Sequence, residues 1–133
     1  MHSEVKIKCQ QAKEASVFLA RLKTTDKNDL LEAIAKELEK NSAAILEANQ
    51  IDLKMLKKSE GYSKAFHDRL LLDHSRIRSM ADGLREIAKL DDPVGEVLRL
   101  KKRPNGLQIG QMRVPIGVIG IIYEARPNVT VDA

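Results

Sequence analysis

Glu124, Arg126, Asn128 and Thr130 fall within seven residues of one another in the stretch YEARPNVT. An asparagine carboxamide can donate a hydrogen bond to an oxygen on which negative charge develops, a contact whose loss costs about 10²–10³ in rate. What precedes the stretch makes its placement informative. In PIGVIGIIYEA the residues Ile116, Val118, Ile119, Ile121 and Ile122 leave no polar face, which predicts a strand covered on both sides in a parallel sheet. Open α/β sheets place ligands at the carboxyl ends of such strands. Residues 124–130 are therefore read as a candidate site, with an ordinary polar loop as the competing interpretation.

Other residues capable of chemistry carry less. Cys9 sits on the apolar stripe of a terminal helix with only lysines near it, so it is expected to be a buried structural thiol and not a nucleophile. It has no second cysteine for a disulfide, which suits a reducing compartment. His2, His67 and His74 have no ligand spacing with one another or with Cys9, and are expected at the surface without a metal. Gly117 and Gly120 lie inside a strand pattern and do not form the glycine-rich turn of a dinucleotide site. Arg99, Lys101, Lys102 and Arg103 read as a solvated strand edge, with a phosphate site as the weaker alternative.

The elements that would position the candidate loop are mostly helical. Val5, Cys9, Ala12, Leu19 and Leu22 recur at helical spacing from Ser3 to about Leu22. A second helix follows Thr24, Thr25 and Asp26 as candidate caps, with Leu30, Leu31, Ile34, Ala35 and Leu38 on one stripe. Asn41 and Ser42 break the pattern, and a third helix is expected to end before Gly61. SKAFHDRLLLD predicts a short helix or turn. Asp73 then caps a long helix with the stripe Ile77, Met80, Ala81, Leu84, Ile87 and Ala88.

Pro93 ends that helix, because it has no amide hydrogen and disfavours helical geometry in the residue before it. Leu98 and Leu100, then Leu107 and Ile109, alternate with polar residues at the period of strands. RPNGL between them predicts a hairpin, with Pro104 and Asn105 at the centre of a type I turn and Gly106 left-handed. The apolar phase shifts after Gly110, so a bulge is expected there.

With 133 residues the chain fits one small domain. Its net charge of +4 comes from 23 basic and 19 acidic residues interspersed along the sequence, and its few aromatics are scattered, which argues against a nucleic-acid partner. No apolar run reaches the roughly 18 residues of a membrane span, and the N-terminus lacks a secretory apolar core. A cytoplasmic location is expected.

RVPIGVIGIIYEARPNVTVDA closely resembles the signature of the gamma-glutamyl phosphate reductase (glutamate-5-semialdehyde dehydrogenase) family of the aldehyde dehydrogenase superfamily, in its bacterial stand-alone form. RPNGLQIG, DDPVGEV and ILEANQIDL also look like that family. The resemblance implies an α/β, aldehyde-dehydrogenase-like fold, of which this chain would be the N-terminal portion. Residues 1–92 would be the helical part of the cofactor-binding domain and 93–115 the β-hairpin of an oligomerisation element. Residues 116–133 would be the first strand and active-site loop of an incomplete Rossmann-type sheet, with the catalytic domain absent.

The same resemblance implies the second step of proline biosynthesis from glutamate. A cysteine displaces phosphate from L-glutamyl 5-phosphate, and hydride from NADPH reduces the resulting thioester to the semialdehyde. Asn128 matches the asparagine that stabilises the oxyanion, while Glu124, Ala125, Arg126 and Pro127 match the loop lining cofactor and substrate. It further implies a homo-oligomer formed through the 96–114 hairpin and an association with glutamate 5-kinase. The nucleophilic cysteine lies outside these residues, and Cys9 does not replace it, so the chain alone is expected to be inactive. Two other readings are a non-catalytic helical assembly module and an aldehyde dehydrogenase relative with a different acyl substrate.

Overall fold

A computed structural model describes residues 2–58 and 63–133. The elements run α1 (His2–Leu19), α2 (Thr24–Lys40), α3 (Ser42–Leu56), α4 (Lys64–Leu70), α5 (His74–Ala88), β1 (Val97–Lys102), β2 (Gln108–Met112) and α6 (Val129–Asp132). They divide between two units. One comprises Met1–Thr24 with Asp91–Gly120, and the other Thr25–Leu90 with Ile121–Ala133.

The second unit is organised around α5. The Asp73 carboxylate accepts a hydrogen bond from the Arg76 amide at 2.7 Å, supplying the N-cap that the sequence predicts. Ile77, Met80, Ala81 and Leu84 follow at spacings of three and four and are all buried. Ala81 and Leu84 join Ala35 of α2, with Leu31, Leu38 and Val131 against them. Leu72, Ile77 and Met80 form a second cluster, packed by Leu38, Ile45, Leu46 and Val131. Ile87, at the far end of the stripe, is exposed.

Polar contacts fix the same helices. Arg85 makes two near-parallel hydrogen bonds to Glu39, at 2.9 and 2.7 Å, and its Nε lies 3.3 Å from Glu32. The Arg85 hydrogen bonds hold the Glu39 carboxyl below its usual range, and Glu39 in turn raises the guanidinium. Asn41 occupies the break between α2 and α3, and its carboxamide donates back to the Glu37 carbonyl at 2.8 Å. At the other end of α3 the helix stops at Leu56; Gly61, the expected stop signal, lies outside the described residues. Ser63 caps α4 by accepting from the Phe66 amide at 3.1 Å.

The first unit buries far less. α1 is helical, but Val5, Ile7, Val17, Phe18 and Leu19 are exposed. Cys9 is exposed as well, which corrects the expectation of a buried thiol. The other elements of this unit, β1 and β2, are exposed on both faces.

β1 and β2 pair antiparallel through the expected loop. The Gly106 amide donates to the Arg103 carbonyl at 2.9 Å, Gly106 has φ +89°, and the Asn105 side chain accepts from the Leu107 amide at 3.2 Å. The irregularity is on the opposite strand from the one expected. Val97 faces Met112 and Arg99 faces Gln111, so the extra residue is Leu98 of β1. Gly110 serves a different purpose: a Cβ there would lie 2.8 Å from the Arg99 carbonyl oxygen. Below the hairpin, Arg113 and Glu96 are joined by a 2.9 Å backbone hydrogen bond and a 2.9 Å ion pair.

Residues 116–122 form no strand, contrary to the sequence expectation of a buried one. Ile116 is 86% exposed and Ile122 fully so. A strand with two apolar faces needs ladder partners at its edges and cover on both sides. Among the described residues the only strands are β1 and β2, which pair with each other.

Candidate functional site

Residues 123–133 form a short, tethered loop at the end of that extended segment. The Tyr123 and Thr130 hydroxyls lie 2.6 Å apart and staple its ends together. Ala125 adopts φ +52°, a left-handed conformation unusual for a residue with a Cβ and one that costs about 1–2 kcal/mol. Such outliers concentrate at functional sites, where surrounding contacts must hold them. Val131 supplies that hold by packing into both apolar clusters of the helical unit.

Asn128 stands at the start of α6 without capping it. Its carboxamide instead donates to the Asp132 carboxylate at 2.9 Å, one turn along. The amide group expected to meet an oxyanion is therefore oriented by an acidic neighbour.

Facing this loop is the link between α4 and α5, which is fixed from two directions. Buried Asn49 of α3 donates to the Leu70 carbonyl and accepts from the Leu72 amide, both at 2.8 Å. Arg76 donates through Nη1 to the Asp68 and Leu71 carbonyls and through Nη2 to the Asp68 carboxylate at 2.7 Å. Side-chain hydrogen bonds of this kind replace backbone pairing where the chain changes direction.

Between link and loop lies a cavity of about 350 Å³. Its polar lining is Arg69, Arg76, Ser79, Asn128 and Asp132, and Leu71, Leu72, Met80 and Pro127 provide an apolar wall. Of the five site residues expected from sequence, the structure brings Pro127 and Asn128 to this cavity. Glu124, Ala125 and Arg126 do not line it. Glu124 and Arg126 are exposed, and Ala125 is half-buried.

Arg69, Arg76, Ser79 and Asp132 are cavity residues that the sequence reading did not single out. For Asp132 a signal was present, since it lies four positions after Asn128 and hence on the same face of any helix there. For the others no local pattern says that α4 and α5 meet the end of the chain.

No family model matches the chain. The gamma-glutamyl phosphate reductase of Moorella thermoacetica is 60% identical over 130 residues, which is 98% of this chain and 31% of that protein. That of Geobacter metallireducens is 57% identical over 122 residues, 92% of this chain and 29% of the relative. The crystal structure of gamma-glutamyl phosphate reductase from Thermotoga maritima superposes with a TM-score of 0.92 at 42% identity, covering 96% of this chain and 31% of that one. The chain is homologous to part of gamma-glutamyl phosphate reductase.

It spans about 31% of the length of the reductases it matches. The likeness extends to the Saccharomyces cerevisiae reductase, with a TM-score of 0.85 at 33% identity over 92% of this chain. The mixed architecture of helices with a two-stranded antiparallel sheet is thus that of part of the solved reductases. Among the described residues no helix is long and apolar enough to cross a membrane, and no group of three or more His, Cys, Asp or Glu side chains is arranged to hold a metal ion.

Proposed function

We propose that this chain provides the N-terminal part of an NADPH-dependent gamma-glutamyl phosphate reductase, which converts L-glutamyl 5-phosphate to L-glutamate 5-semialdehyde in proline biosynthesis. The observation that carries this reading is the 60% identity to the M. thermoacetica reductase across 98% of the chain. In it, a cysteine outside these residues displaces phosphate to form a thioester, and Asn128 donates to the thioester oxygen as negative charge develops there. Residues 116–122 become the first strand of an aldehyde-dehydrogenase-like, Rossmann-type sheet once neighbouring strands flank them, and the 96–114 hairpin pairs with a second subunit.

The residues present do not make a dinucleotide site by themselves. The cavity of about 350 Å³ is near the lower end of small-molecule pockets, roughly 300–1,000 Å³, and Glu124, Ala125 and Arg126 stand outside it. When bound, NADPH supplies the hydride. Its binding residues are assigned mainly to the remainder of the reductase, with the 124–127 loop flanking it. What this chain contributes is the placement of Asn128: Val131 anchors its loop, Tyr123 and Thr130 close it, and Asp132 orients the carboxamide.

A chimera that joins residues 1–133 to the remaining two-thirds of the M. thermoacetica reductase tests the reading. Phosphate-dependent oxidation of glutamate 5-semialdehyde with NADP is expected within about tenfold of the parent enzyme. A folded chimera that binds NADP yet shows no turnover would overturn it.

A further inference from the structure

The cavity beside Asn128 contains a charge pattern that the oxyanion role does not use. Arg69, in the last turn of α4, has no hydrogen-bond or ion-pair partner among the described residues, although it lines the cavity. Arg76, the other guanidinium there, is already committed to Asp68 and to two backbone carbonyls. It fixes the link that carries Arg69, with three of its five N–H groups engaged in doing so. The Asp132 carboxylate of α6 and the Ser79 hydroxyl of α5 line the same cavity, together with Leu71, Leu72 and Met80.

One open cation, one carboxylate and an apolar strip in a space of about 350 Å³ match an amino-acid head group on a short methylene chain. A carboxylate prefers the planar fork of an arginine, which can bind both of its oxygens. An ammonium group needs a carboxylate. A simple aliphatic aldehyde carries neither group and would gain neither contact, leaving the exposed Arg69 to solvent.

We propose that this cavity holds the α-amino-acid end of the substrate, with Arg69 binding its carboxylate and Asp132 its ammonium group. The assignment rests on the reductase reading and makes Arg69 and Asp132 determinants of specificity, with Arg76 and Asn49 as positioning residues. Asp132 also links the two ends of the ligand. Its hydrogen bond to Asn128 couples occupation of the head-group site to the orientation of the amide that serves the reacting carbon.

The test compares two aldehydes in the chimera of residues 1–133 with the rest of the M. thermoacetica reductase: glutamate 5-semialdehyde, and butanal, which lacks both head groups. For Arg69→Ala, kcat/KM for the semialdehyde is expected to fall about ten- to a hundredfold more than kcat/KM for butanal, the size of a lost charge-assisted hydrogen bond. The excess should appear mainly in KM, and Arg69→Lys should recover part of it. Equal losses for both aldehydes, or no loss, would overturn the assignment while leaving the reductase reading intact. An unsubstituted chimera without semialdehyde turnover would instead remove the reductase reading and this assignment with it.

Discussion

α5 and the segment 116–122 both carry a pattern of large apolar residues, isoleucine among them, yet they meet opposite fates. In α5 the apolar residues recur on one face, and the chain supplies α2, α3 and α6 to cover that face; Ile77 is 1% exposed. In 116–122 the apolar residues occupy both faces, and no element among the described residues covers either; Ile122 is fully exposed. Apolar periodicity therefore specifies how an element must be covered, whereas burial depends on whether the covering elements are in the same chain.

The contrast is sharpest in stability. Ile77→Ala should cost about 2–5 kcal/mol in denaturant unfolding of this chain, because it opens a cavity in a packed cluster. Ile122→Ala should stay within about 0.5 kcal/mol, as surface substitutions do. Equal costs would mean that the segment is packed in solution. Next in size is Asn49→Ala, which strips partners from the Leu70 carbonyl and the Leu72 amide and should cost about 2–3 kcal/mol. A change no larger than a surface substitution's would show that the α4–α5 link does not depend on it.

The smallest effect belongs to the exposed ion pairs. The Glu39 carboxyl is held below its ordinary range, chiefly by the Arg85 hydrogen bonds. Its contribution is thus fully present above the unfolded glutamate pKa of about 4.3 and is lost as pH falls through the lower folded value. The melting temperatures of the wild-type chain and Glu39→Gln should differ slightly at pH 6 and converge towards about pH 3. A gap that widens on acidification would contradict the assigned sign.

How much of this was legible in the sequence follows the same division. Asp73 and the RPNGL turn were readable because caps and turns are satisfied within three or four residues. The α5 stripe was readable because its period matches a helix with one covered face. Cys9 and residues 116–122 were misplaced, since apolar pattern records a demand for cover without showing where the cover comes from. The bulge was put on the wrong strand for a related reason: Gly110 does mark a close backbone approach, but the extra residue sits across from it at Leu98.

At the candidate site, Asn128 was legible from residue type and position, and Pro127 through the family resemblance alone. Arg69, Arg76 and Ser79 were not, because their approach to residues 127–132 is created by tertiary packing of Val131 and by the Asn49 clamp. Of the side chains that would choose a substrate, Arg69 lies on α4, whereas Asp132 shares with Asn128 the loop that Val131 anchors.

The most direct test of this account is kcat for Asn128→Ala in the chimera with the M. thermoacetica reductase. Loss of an oxyanion donor predicts a fall of about 10²–10³ in kcat, with NADP binding and thermal stability close to those of the unsubstituted chimera. A kcat within a few-fold of the unsubstituted chimera would contradict the role assigned to the loop.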